Sequence, residues 1–281
     1  MNTKIIKGKL KSVGNIKKIT KTMEMVSAAK MKKAVDNALI LRPFHEEAQN
    51  ILTEISVNPL GYHPLLENSG VDNEVVVLIS SNKGLCGSYN TNVYRKLLTS
   101  LSESKKSKTK IIAFGKYSEK IAKKLDLEVI ASFNQPVITA DDAYVASKML
   151  VDLYLERKIG GVNILFTHFT KATSFTPTLL KVLPFSSEGK PDTHGDPHYV
   201  YEPNEDQVLD TIIPMMIHNI LYGAILESLA SEHSSRMFAM KNATDNAGEI
   251  QKELKLYYNR ARQGAVTQEI AEITAGAMAL S

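Results

Sequence analysis

The residues best placed by type and spacing to do chemistry are Gly84-Leu-Cys-Gly87, between an apolar run ending at Ser80 and an amphipathic stretch from Tyr89. Glycine-rich turns between a strand and a helix often cradle phosphate with their backbone N–H groups. The spacing argues against that here, because there is no GxGxxG pattern and no Walker lysine after the second glycine. A tight strand-to-helix turn is the better reading. Cys86 sits in the same loop, but a thiol becomes a nucleophile beside a histidine or another base, and no histidine is near it in sequence. The role expected of it is that of a small buried thiol. His194 and His198 have the i, i+4 spacing of a metal pair, yet Gly195 and Pro197 place them in a loop where helical spacing does not apply. No catalytic residue, no cofactor-binding residue and no metal ligand is assigned, and the chain is expected not to be an enzyme in itself.

The elements around that loop say more. Residues 204–281 contain one proline, Pro214, and read as a single helix. Its apolar stripe runs from Val208 through Ile212, Leu226, Met240, Ile250, Ala261 and Ile273 to Ala277, in steps that drift between three and four without a strict leucine heptad. A first helix, residues 3–57, shows apolar positions at Ile6, Leu10, Val13, Ile16, Ile19, Met23 and Val26, with a bend expected at Pro43. At about 1.5 Å per residue the two make rods of roughly 80 and 115 Å, too long for one globule to bury. Between them, residues 74–80, 110–114, 128–133 and 161–168 read as strands, alternating with helices at 89–101, 116–125 and 140–157. Alternating strands and helices imply a parallel sheet with right-handed crossovers. The insert returns the chain to its starting end, so the terminal helices are expected to pair antiparallel.

The fold class expected is therefore α/β: a long antiparallel coiled coil of N- and C-terminal helices with an inserted parallel-sheet domain. The divisions are an N-terminal helix (1–58), the α/β domain (72–185), a Pro-, Gly- and His-rich segment (186–203) and the C-terminal helix (204–281). Hydrophobic residues make up 43% of the chain, enough for a core, with no tryptophan. Residues 1–33 hold ten lysines against Glu24 alone, whereas the whole chain is only +4, so the remainder is negative. That asymmetry points to an acidic partner for the first helix. Cys86 is the only cysteine, which fits a reducing compartment. No unbroken run of eighteen apolar residues exists, so no membrane span is expected. No signal-like apolar region follows the N-terminus.

Several stretches resemble the γ subunits of F-type ATP synthases. These are Ile19-Thr-Lys-Thr-Met-Glu-Met-Val-Ser-Ala-Ala-Lys-Met31, Gly84-Leu-Cys-Gly87, Tyr201-Glu-Pro203, Ser231-Glu-His-Ser-Ser-Arg-Met237, Ala239-Met-Lys-Asn-Ala-Thr-Asp-Asn246, Tyr258-Asn-Arg-Ala-Arg-Gln263 and Thr267-Gln-Glu269. The similarity covers the whole chain in order. It implies a rotary central stalk with a Rossmann-like domain at its foot, the shaft lying inside a ring of α and β subunits and the foot resting on the membrane c-ring. Proton flow would turn the ring and shaft, and the shaft would drive the β catalytic sites through their binding states, or run in reverse on ATP hydrolysis.

By the same resemblance, Met23, Arg236, Arg262, Gln263, Thr267, Gln268 and Glu269 would contact the α/β ring. Met23 is expected to lie near Arg236 and near the 262–263 and 267–269 segments. Arg262 would hold a β carboxylate through paired hydrogen bonds. Tyr199, Tyr201 and Glu202 would meet the c-ring and the ε subunit. The resemblance implies no cofactor, no nucleic acid and a peripheral position on the cytoplasmic face of a bacterial plasma membrane, or the matrix side of the inner membrane if organellar. The chain departs from the family pattern at Gly8, Gly14 and Gly264, each of which softens a helix. Its single cysteine argues against the regulatory dithiol of chloroplast relatives. The competing expectations are a basic coiled-coil protein that binds nucleic acid, with affinity falling steeply in salt, and a Rossmann-type enzyme with helical arms.

Overall fold

The structure, a computed structural model, describes residues 3–57, 63–184 and 204–279. The chain opens with α1 (Thr3–Val57). Then come β1 (Glu74–Ile79), α2 (Tyr89–Ser100), α3 (Glu103–Lys106), β2 (Thr109–Phe114), α4 (Lys116–Lys124), β3 (Glu128–Phe133), α5 (Ala140–Leu155), β4 (Gly161–Lys171) and β5 (Ser174–Leu183). It closes with α6 (Glu205–Ala279). Both long helices run through their proline, Pro43 in α1 and Pro214 in α6. By packing, the chain forms two compact units: one is Ala29–Ser235, the other Met1–Ala28 with Arg236–Ser281.

The first of these holds a five-stranded sheet in the order β3-β2-β1-β4-β5. β1 is central because its sequence, EVVVLI, is apolar on both faces and its last five residues are all buried. It pairs in parallel with β2 on one side and β4 on the other, Glu74 lying opposite both Thr109 and Gly161. Period-two alternation divides the core. Val75, Val77 and Ile79 pack with Ile112, Phe114, Ile164 and Phe166 under α5 and the first half of α6. Val76 and Leu78 pack with Ile111, Ala113 and Leu165 under α2 and α4.

Two local devices set the elements in place. Thr139 and Asp142 form a reciprocal capping box at the start of α5: the Asp142 N–H donates to Thr139 Oγ1 at 3.3 Å and the Thr139 N–H to Asp142 Oδ2 at 2.8 Å. Gly115, at φ 89°, turns the chain from β2 into α4 so close to β1 that a Cβ would lie 2.3 Å from the Ser80 carbonyl oxygen.

One expectation needs correction and a second needs a fuller account. The sheet is mixed and not purely parallel, because residues 174–183 form β5, antiparallel to β4. That strand carries Pro177 and two threonines, so it does not read as an apolar run; proline is tolerated because β5 is an edge strand. The second concerns membrane crossing. One stretch of α6 is, by length and composition alone, apolar enough to span a bilayer, which a search for an unbroken apolar run misses. In the fold the apolar residues of α6 from Leu209 to Ile225, apart from the exposed Met215, pack into the core with the sheet.

Candidate functional site

The partner-contact residues expected within the described chain all belong to the unit made of Met1–Ala28 and Arg236–Ser281. There α1 and α6 run antiparallel. Thr20 Oγ1 lies 2.8 Å from Thr244 Oγ1. Three residues back in α1, Lys17 Nζ lies 3.1 Å from where Gly248 would carry a Cβ; another three back, a Cβ on Gly14 would meet Gln251 Nε2 at 3.2 Å. As the α1 number falls by three and again by three, the α6 number rises by four and then by three.

The seam between them is more regular than apolar residues alone suggest. On α1 the buried and half-buried positions include Ile6, Leu10, Val13, Lys17, Thr20, Glu24 and Ser27, alternating steps of four and three. On α6 they include Met240, Thr244, Ala247, Gln251, Leu254, Tyr258 and Ala261, with the same alternation. A 3.5-residue repeat of this kind is the pattern of a left-handed coiled coil. The expectation of a drifting, loose stripe is corrected, and so is the expected seam role of Ile16, Ile19 and Val26, which are exposed, Ile19 by 59%. The heptad escaped notice because half of it is polar or small. Thr20 donates to the Lys17 carbonyl at 3.1 Å and Ser27 to the Met23 carbonyl at 2.7 Å, so these hydroxyls enter the seam already satisfied by their own helix.

Met23 is half-buried, beside the seam. Its expected proximity to Arg262 does not hold. With Thr20 opposite Thr244, Met23 falls level with about residue 241, some 30 Å short of Arg262 along the axis at the rise of a helix. Met23 and Arg236, by contrast, share one region of the pair. Arg236 is buried, at 8% exposure, and so has little surface to offer another chain. Arg262, Gln263, Thr267, Gln268 and Glu269 lie past Ala261, the last seam position, and every residue from 262 to 278 is exposed. Helical bonds hold this stretch: Thr267 donates to the Gln263 carbonyl at 3.0 Å and Gln268 Nε2 to Glu272 at 2.8 Å. Arg262 makes no ion pair among the described residues. Gly8 and Gly264 have nothing within 4 Å of an added Cβ, whereas Gly14 sits against Gln251. Tyr199, Tyr201 and Glu202, like His194 and His198, lie outside the described residues.

The loop of residues 81–88 belongs to the other unit. Asn90 clamps it, donating to Ser81 Oγ at 2.7 Å and to Cys86 Sγ at 3.3 Å while accepting from the Ser81 N–H at 3.2 Å. Leu85 and Gly87 both take positive φ, 61° and 56°. The loop borders the crevice between the carboxyl ends of β1 and β4, where the strand order reverses and doubly wound folds place their ligands. Here α6 fills it. Ser235 donates to the Cys86 carbonyl at 2.6 Å, Ser228 accepts from the Thr167 N–H at 3.0 Å, and Ser231 donates to the Thr167 carbonyl at 3.2 Å. Tyr89 is fully buried in the same place. Burial, and then the Glu232 carboxylate, pushes its phenol far above the ordinary range, so it stays neutral. Among the described residues no three His, Cys, Asp or Glu side chains gather as a metal site.

The family model described as ATP synthase matches residues 2–280. The ATP synthase gamma chain of Paracidovorax citrulli (strain AAC00-1) is 39% identical over 285 residues, covering 99% of each chain. That of Staphylococcus saprophyticus is 37% identical, covering 99% of this chain and 98% of its own. This chain belongs to the ATP synthase gamma chain family. A gamma chain is the rotor, or central-stalk, subunit, and is itself non-catalytic. The fold is similar to chains in two solved mitochondrial assemblies. One is the central stalk and c-ring of Tetrahymena thermophila ATP synthase, with a TM-score of 0.61, 22% identity, and 80% of this chain and 99% of that one covered. The other is the OSCP/F1/c-ring assembly of Euglena gracilis, with a TM-score of 0.70, 19% identity, and 99% and 94% covered. As a gamma chain, the protein is part of the membrane-associated ATP synthase complex. What the sequence reading missed in this gamma chain is the row Ser228, Ser231, Ser235. Its signal is three serines at i, i+3 and i+7 on one face of a helix that is apolar before them.

Proposed function

We propose that this chain couples rotation of a proton-driven c-ring to ATP synthesis or hydrolysis at the catalytic sites of β subunits, with α, β and ε as further partners. The observation that carries this reading is the exposed end of α6. Past Ala261 the helix has no seam to enter, yet it keeps apolar side chains at Val266, Ile270 and Ile273, the last 73% exposed. A helix with large exposed apolar residues, and an Arg262 with no ion pair among the described residues, suits a surrounding sleeve of other subunits, apolar at the tip and acidic below it. A single asymmetric rod facing three equivalent sites presents a different face to each, so their affinities differ, and by linkage nucleotide binding acts back on the rod.

On this reading Met23, Arg262, Gln263, Thr267, Gln268 and Glu269 meet the α/β ring. Arg236 supports the pair from within. Tyr199, Tyr201 and Glu202 meet the c-ring and ε, and the chain divides at 1–58, 72–185, 186–203 and 204–281. The bacterial origin of the relatives named above favours the cytoplasmic face of a plasma membrane. The test is affinity purification of the tagged chain from its own membranes after nuclease treatment, with mass spectrometry and an ATPase assay. Recovery of α, β and ε with magnesium-dependent ATPase activity is expected. Recovery of the chain alone, or with nucleic-acid-associated proteins, would overturn the reading.

A further inference from the structure

We infer that Glu227, Ser228, Ser231, Ser234 and Ser235 fix the rotational setting of α6 on the sheet and so form a joint through which torque passes. The inference rests on the rotor reading and adds residues that it does not name.

Up to Leu226, α6 is held by apolar packing on the sheet. Such packing is non-directional: it opposes separation strongly and turning about the helix axis weakly. At Glu227 the character of the contact changes. Glu227 Oε2 lies 2.6 Å from His168 Nδ1 and accepts the Phe169 N–H at 3.1 Å. Ser228 and Ser231 take the N–H and the carbonyl of Thr167, Ser234 donates to the Ala172 carbonyl, and Ser235 donates to the Cys86 carbonyl.

Apart from His168, every partner in that set is a backbone group of β4, of its hairpin with β5, or of the loop after β1. A strand backbone does not swing away by changing rotamer, so these bonds act against a rigid frame. Ser234 and Ser235 are set about 100° apart around the helix, and they bond to different strands' ends, Ala172 beyond β4 and Cys86 beyond β1. Turning α6 in either sense lengthens one of the two. Hydrogen bonds weaken steeply with misalignment, which gives the joint its stiffness in rotation. The helix then continues without a break to Ala279, so a turn imposed on this segment is carried along one element.

The experiment measures ions pumped per ATP hydrolysed in inverted membrane vesicles whose ATP synthase carries this chain, comparing wild type, S231A/S235A, E227A and I213V. Ile213→Val trims the apolar contact of the same helix and controls for lost stability, which thermal unfolding of each chain records. For S231A/S235A, hydrolysis should persist while the pumping ratio falls by roughly half or more, because loosened coupling is lost between both ends. I213V should keep the wild-type ratio. An unchanged ratio in S231A/S235A, or an equal fall in I213V, would overturn the inference. If the double variant does not assemble, E227A carries the same two outcomes, since Glu227 is partly exposed. If the wild-type chain itself supports no coupled pumping, the rotor reading fails and not the joint.

Discussion

Thr20 and Thr244 share one hydrogen bond at the middle of a helix seam, both hydroxyls buried and 2.8 Å apart. Thr20 spends its only proton on the Lys17 carbonyl and therefore accepts from Thr244. Thr244 also has the Met240 carbonyl at 2.8 Å, so its one proton has two acceptors. Replacing Thr244 alone by valine should cost about 1 kcal/mol, by leaving the Thr20 oxygen without its donor. Replacing both by valine should cost less than the two single changes together. Denaturant unfolding of the full chain in a double-mutant cycle measures the difference, and strict additivity would remove the pair from the account.

Arg262→Ala alters an exposed residue, and deletion of the residues after Thr274 removes, among the described residues, exposed positions to Met278. Unfolding free energy should therefore stay within about 0.5 kcal/mol of wild type. Coupled ATP synthesis in membranes should nevertheless fall for both. A large loss of stability with coupling intact would place these residues in internal packing.

Gly264→Ala should raise helix stability by about 1 kcal/mol, because a Cβ there meets nothing within 4 Å and alanine is the better helix former. Gly115→Ala should do the opposite, by several kcal/mol or roughly the strain of a non-glycine at positive φ plus a backbone clash. Circular dichroism with thermal melting distinguishes the two, and a tolerated G115A would contradict the close approach to Ser80.

Glu119 accepts from Ser132 and, at 2.6 Å, from Asn134 Nδ2, and these bonds hold its carboxyl below the usual range. A depressed folded pKa contributes stability above the unfolded value and loses it as pH falls through the folded one. The chain should therefore lose stability on acidification below the ordinary glutamate range, and Glu119→Gln should flatten that part of the profile. Unfolding midpoints between neutral and acid pH check it.

How much of this is legible in residues alone follows from what periodicity reports. The valine run of β1 and the long spans of α1 and α6 announce themselves, because burial on two faces or on one stripe leaves an apolar signature. β5 does not, since an edge strand with Pro177 and Thr176 has no need of one. The seam is hidden for a related reason: Thr20, Ser27, Thr244 and Gly248 favour close approach over greasiness, while Ile19 points outward and misleads. The residues past Ala261 could be named by likeness only, because they lie beyond the seam and every one from 262 to 278 is exposed.

The seam pair is also separated by 224 residues of chain. At ribosomal rates of about 5–20 residues per second, α1 emerges roughly 11–45 s before the partner that covers its Ile6, Leu10 and Val13 exists. The contacts of the sheet unit are nearer in sequence and close sooner. A nascent chain therefore carries an unmet amphipathic helix through most of its synthesis. Chaperone demand and misassembly should concentrate at that end, and slowing translation late in the message should aggravate both.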